Sequence, residues 1–190
     1  MYAREIFKED PSATALLVID MQVDFLSDTG RLPVDRARVD ELIARVNRAI
    51  EECRRRGLLV VHIANEFPRR SIANMFRKFA AIEGSAGAAL DNRVRREGTR
   101  YLAKRHDDAF TNPELPALLE REGIRTVLVA GVFADGCVRA TARGAIAHGY
   151  RAVVLADCVA SRSDRSTNRA LASMRSFGAS VVASSDGIRS

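Results

Sequence analysis

Short apolar runs alternate with amphipathic, helix-spaced segments along this 190-residue chain, and no other feature constrains the fold as strongly. A run that is apolar at every position must be covered on both sides, which a strand achieves in a parallel sheet flanked by helices. Residues 15–19 form such a run, closed by the carboxylate of Asp20. Across 35–56, Val39, Leu42, Ile43, Val46, Ile50 and Cys53 recur at helical spacing, and Gly57 supplies the stop. Residues 58–64, 100–104, 126–132, 152–156 and 180–183 read as further strands. Helical patterns cover 112–122, the stretch from Cys137 to His148, and 164–177. Between Asn65 and Val94 the pattern lapses, and a short helix is expected there around 74–81. No repeat, low-complexity tract or linker interrupts the order. Residues 1–190 are therefore expected to form a single three-layer α/β domain on a mostly parallel sheet.

Composition removes several function classes. Hydrophobic residues make up 47% and charged residues 28%, ordinary for a soluble globular chain. No apolar run approaches the ~20 residues of a membrane-spanning helix. The first ten residues lack the apolar core of a signal peptide, so a cytoplasmic protein without a membrane partner is expected. Three cysteines, an odd number without regular spacing, argue against a disulfide scaffold. Cys53 falls on an apolar helix face and Cys158 follows a strand, so both are read as packing residues. The net charge of +6 is spread over scattered basic clusters, with 6% aromatics and no nucleic-acid-binding motif. A generally basic surface is expected rather than a nucleic-acid partner.

Ligands bind such sheets at the carboxyl ends of the strands. Three reactive groups fall there: Asp20 after the first strand, Lys104 ending the third, and Cys137 just past the fourth. Each has a plainer role open to it, as a helix cap, a solvated cation or a small core residue. Together they make sense as covalent catalysis. Cys137 follows Gly131 and Gly136 and is expected on the first turn of a helix, where unpaired N–H groups favour a thiolate. Asp20 can shuttle a proton, Lys104 can hold the thiolate, and backbone N–H groups at Phe133 and Cys137 can receive an oxyanion.

These residues resemble the isochorismatase-like cysteine hydrolases. The resemblance is carried by Asp20-Met21-Gln22-Val23-Asp24-Phe25, by Lys104 with Phe110 following, and by Gly131-Val132-Phe133-Ala134-Asp135-Gly136-Cys137-Val138. Gly84-Ser85-Ala86-Gly87 and Ala156-Asp157 add to it, over residues 13–184 or so. The resemblance implies a six-stranded sheet of the isochorismatase-like, Rossmann-like kind, an Asp20/Lys104/Cys137 triad, and a cis peptide at Val132-Phe133 that turns N–H groups toward the oxyanion. It also implies a homo-oligomer, a dimer or tetramer.

Residues 136–141, Gly-Cys-Val-Arg-Ala-Thr, are most similar to the branch hydrolysing N-carbamoyl and ureido compounds, biuret and maleamate. Nicotinamidases of the family bind a metal through an aspartate and histidines after the second strand. Here Asn65 stands for the aspartate and Phe67 for a histidine, so no metal and no cofactor are expected. The resemblance thus implies hydrolysis of a C–N bond in a small-molecule amide through a thioester. An isochorismatase cleaving a vinyl ether, and a binding or assembly protein with an idle thiol, stay open as alternatives. Phe25, Phe67 and Phe133 are candidates for the substrate pocket wall, and Arg69 and Arg70 for attracting a substrate carboxylate.

Overall fold

The apolar runs become six strands of one parallel sheet in the computed structural model, which describes residues 11–184. The strands are β1 (Thr14–Ile19), β2 (Leu59–Asn65), β3 (Arg100–Lys104), β4 (Thr126–Val132), β5 (Arg151–Ala160) and β6 (Ser180–Val182), in the spatial order β3-β2-β1-β4-β5-β6. Two short helices, α1 (Val23–Leu26) and α3 (Ala73–Phe76), follow β1 and β2 in sequence, and four others cover the sheet: α2 (Val39–Arg55), α4 (Glu114–Arg121), α5 (Arg139–Ala147) and α6 (Asp164–Ser176).

The period of two along each strand sorts the side chains into two cores. Leu16 and Val18 of β1 pack with Val46 and Ile50 of α2, whereas Ala15, Leu17 and Ile19 pack with Leu119 of α4, Ala142 of α5 and Met174 of α6. One face is thus closed by α2 and the other by α4, α5 and α6. Leu17 is fully buried, so Leu17→Ala would cost about 3–5 kcal/mol.

The chain enters at the middle of the sheet, builds outward through β2 and β3, and returns to place β4 on the other side of β1. Strand order therefore reverses between β1 and β4, and a crevice opens beyond their carboxyl ends. Gly131 lets the two strands approach there: it has φ +114, and a Cβ on it would overlap the Ile19 carbonyl oxygen.

Two expectations need correction. β5 does not stop at Ala156. Its register against β4 jumps, with Val154 opposite Val129 but Val159 opposite Gly131, so the strand bulges and resumes to Ala160 with Cys158 inside it. The bulge is held by Asp157, which accepts the Ser184 N–H and Oγ–H at 2.6 Å each and Arg45 Nη1 at 3.0 Å. The expected helix over 74–81 ends at Phe76, because Lys78 and Phe79 turn to φ +51 and +57.

Candidate active site

The crevice gathers four strand-end side chains. β1 ends in a left-handed turn at Asp20 (φ +53), whose N–H donates to the Ile63 carbonyl at 2.7 Å. Asp20 Oδ2 accepts from Lys104 Nζ at 3.0 Å and from Asn65 Nδ2 at 2.8 Å. Lys104 Nζ also donates to Asn65 Oδ1 at 2.8 Å. Charge fixes the amide's orientation, carbonyl toward the ammonium and NH2 toward the carboxylate. Asn65 and Lys104 face each other across β2 and β3 because they are register partners at the strand ends. Asn65 Nδ2 further reaches Cys137 Sγ at 3.5 Å. All four residues are buried, while Asp20 Oδ1 is left without a hydrogen-bond partner.

Cys137 does not open a regular helix. Residues Ala134–Val138 form a wide π-type turn broken at Gly136 (φ −120, ψ −111), and α5 begins only at Arg139. The Val132-Phe133 peptide that leads into this turn is cis, as the family resemblance implied.

Burial dominates the charges. It pushes the Cys137 thiol well above its ordinary pKa, with the Asp20 charge adding and Lys104 opposing. Burial thus works against the thiolate that the place of Cys137 beside a helix start was expected to favour. Burial also raises Asp20, against the opposing influence of Lys104 and of its polar neighbours Cys137 and Asn65. On Lys104, burial works against the charge, but the Asp20 carboxylate beside it favours the ammonium and its pKa is raised. The arrangement places a thiol group, a carboxyl group and an amino group together in one buried cluster.

The pocket over Cys137 has a volume of about 310 Å³, at the small end for ligand sites. Phe25, Phe67 and Phe133 all line it, and the Phe25 and Phe133 rings meet edge to face at 5.4 Å. Arg69 and Arg70 do not line it. Both are exposed, and Arg69 Nε donates to the Glu83 carbonyl at 3.2 Å. Arg77 and Arg162 line the pocket instead, along with Asp107, whose Oδ1 lies 3.8 Å from Cys137 Sγ. Sequence reasoning missed these three and the bridging role of Asn65. Only Asn65 carried a usable signal, its place at a strand end beside Lys104.

The metal-binding arrangement of nicotinamidases does not fit these residues. The Asn65 amide is committed to Asp20 and Lys104, and Phe67 offers no donor atom. The histidines lie elsewhere: Nε2 of His62 donates to the Arg95 carbonyl, His106 is exposed, and His148 donates to the Gly144 carbonyl. Among the described residues no three His, Cys, Asp or Glu side chains converge as a ligand set.

Comparison with known proteins finds relatives over most of the chain. A maleamate amidohydrolase from Pseudomonas putida is 31% identical over 156 residues, 78% of this chain and 72% of that protein. A protein of Arabidopsis thaliana described as a probable inactive nicotinamidase is 29% identical over 177 residues, 87% of this chain and 89% of its own. The crystal structure of the pyrazinamidase of Pyrococcus horikoshii in complex with zinc superimposes with a TM-score of 0.81 at 29% identity, over 90% of this chain and 99% of that one. The family model for the isochorismatase domain matches residues 14–186, and the chain belongs to the isochorismatase family.

Proposed function

We propose that the protein is a cysteine-dependent amidohydrolase cleaving the C–N bond of a small amide, carbamoyl or ureido compound. The observation that carries this reading is the unpartnered Oδ1 of Asp20, a buried proton acceptor beside a buried thiol and a fixed ammonium. Relatives named for C–N bond hydrolysis support it.

In the mechanism, Asp20 Oδ1 takes the Cys137 thiol proton as Sγ bonds to the substrate carbonyl carbon. Lys104 keeps the pair electrically neutral throughout, so the transfer creates no net charge in a buried site. The oxyanion is received by the N–H groups of Phe133 and Cys137. Collapse breaks the C–N bond, and Asp20 returns the proton to the leaving nitrogen, releasing ammonia or an amine. Water then attacks the thioester and gives a proton to Asp20. The C–S bond breaks, Cys137 is reprotonated from Asp20, and the acid leaves. The sum is amide plus water giving acid plus amine. Asn65 holds Asp20 and Lys104 in register. No step uses a metal.

We also infer self-association as a dimer or tetramer. Its support is an apolar patch on the 72–79 segment, where Ile72, Met75 and Phe76 are 82%, 69% and 86% exposed.

The test is a panel of small amides, carbamoylated amines and isochorismate, followed for ammonia and pyruvate. Ammonia release supports the amidase reading. Pyruvate release from isochorismate alone favours vinyl-ether hydrolysis. No turnover, with Cys137 unreactive to iodoacetamide, favours a non-catalytic binding protein.

A further inference from the structure

Two buried polar side chains just after β1 have no part in the chemistry above, Gln22 and Asp24. Asp24 binds loops, its Oδ2 accepting the Ala81 N–H at 2.8 Å and its Oδ1 the Arg31 N–H at 3.3 Å. Gln22 instead meets the main chain of Asn65 with both ends of its carboxamide. Its Nε2 donates to the Asn65 carbonyl at 2.8 Å, and its Oε1 accepts the Asn65 N–H at 3.0 Å. Nε2 also donates to the Ala88 carbonyl at 2.6 Å. One N–H facing the oxygen and two carbonyls facing the nitrogen fix the amide's orientation.

The contact follows from how the sheet ends. Alternate residues of a strand offer their N–H and C=O to the same neighbour. Ile63 offers its carbonyl to β1, where the Asp20 N–H takes it, and Asn65 offers its own pair to that side two residues later. β1 is no longer there, because the chain turns away at Asp20 (φ +53). Gln22 fills the place, so a side-chain amide closes the ladder where a peptide group would have done so. Without it, two main-chain groups of a buried residue lose their partners.

Asn65 carries that backbone contact into the site. Its side chain lies 2.8 Å from both Asp20 Oδ2 and Lys104 Nζ, and 3.5 Å from Cys137 Sγ. A shift of its main chain therefore reaches all three groups. We propose that Gln22 is a positioning residue: through the main chain of Asn65 it sets the distances among Asp20, Lys104 and Cys137. Its carboxamide bonds to none of the three, and it does not line the pocket. The proposal rests on the amidohydrolase reading for its effect on turnover, and not for its effect on the thiol.

Two variants test it. Gln22→Met keeps the length and removes all three bonds. Gln22→Glu keeps an acceptor for the Asn65 N–H but sets its other oxygen against two carbonyls, toward which it can donate only while protonated. The measurements are kcat and KM on the best amide substrate, and Cys137 alkylation by iodoacetamide, each from acid to alkaline pH. Asn47→Ala removes a similar amide that joins main-chain groups of Arg93 and Arg95, and controls for lost stability. Gln22→Met is expected to lower kcat about tenfold or more with KM little changed. It should also move alkylation about one pH unit or more higher, since a displaced Asn65 Nδ2 no longer donates to the sulfur. Gln22→Glu should approach the parent rate at low pH and lose it, reversibly, as its carboxyl ionises. Asn47→Ala should show none of these changes. If Gln22→Met does not fold, the reversible loss in Gln22→Glu decides. A shifted alkylation profile supports the positioning role even if no amide is turned over, in which case only the amidohydrolase reading fails. An alkylation profile unmoved in the Gln22 variants, or changes matched by Asn47→Ala, overturns the proposal.

Discussion

Lys104 Nζ lies 3.0 Å from Asp20 Oδ2, with both side chains closed to solvent. A buried pair of this kind is weak evidence of net stabilisation, but removing one partner strands the other charge. Lys104→Met should therefore lower unfolding free energy by about 3–5 kcal/mol. Adding Asp20→Asn should restore most of that loss while leaving the enzyme inactive. Urea unfolding of both variants checks this, and equal destabilisation in the single and double variants would contradict it.

Asn65 bridges that pair and touches the thiol, so its substitution separates positioning from charge. Asn65→Ala removes one hydrogen bond from each partner and should cost about 1–3 kcal/mol. Asn65→Asp keeps the shape but sets a second carboxylate against Asp20. Like charge raises an acid's pKa further, so the acid limb of the kcat/KM profile should move to higher pH in Asn65→Asp than in the parent. An unmoved limb would mean that Asp20 is not the group titrating in that limb.

The sheet was legible in the sequence because apolar runs leave few alternatives, and Asp20, Lys104 and Cys137 were legible because strand ends are where such sheets bind ligands. The rest depended on contacts that no local pattern encodes. Arg77 and Arg162 come from a surface segment and from the loop after β5, so nothing in their neighbours distinguishes them from the other scattered basic residues. The effect of burial on Cys137 was not legible for a related reason: position on a turn is local, whereas desolvation depends on everything packed around it. The β5 bulge escaped notice because its Asp157 is satisfied by Ser184 and Arg45, both remote in sequence.

His62 gives the acid side of the stability profile. It is buried on β2 and its pKa falls to about 4, mainly through burial. The folded state thus refuses a proton that the unfolded chain accepts near pH 6.5. The neutral ring's contribution is full above that value and is lost as pH falls from 6.5 toward 4, a loss on the order of 2–3 kcal/mol. In His62→Gln the fall in Tm over that interval should be shallower, as thermal scans from pH 7 to pH 4 would show. An unchanged slope would locate the acid sensitivity elsewhere.

The exposed Ile72, Met75 and Phe76 should be covered in solution by a second copy of the chain. Sedimentation at micromolar concentration is expected to show a dimer or tetramer, and Phe76→Asp to shift it toward monomer. A single 20.8 kDa species for the parent protein would contradict self-association.

The covalent role of Cys137 is tested most directly by the intact mass of the protein quenched during turnover of its best amide substrate. The mechanism predicts a fraction carrying the acyl or carbamoyl group on Cys137, labile to hydroxylamine as a thioester is, and Cys137→Ala protein with neither adduct nor turnover. Full activity in Cys137→Ala protein would contradict it.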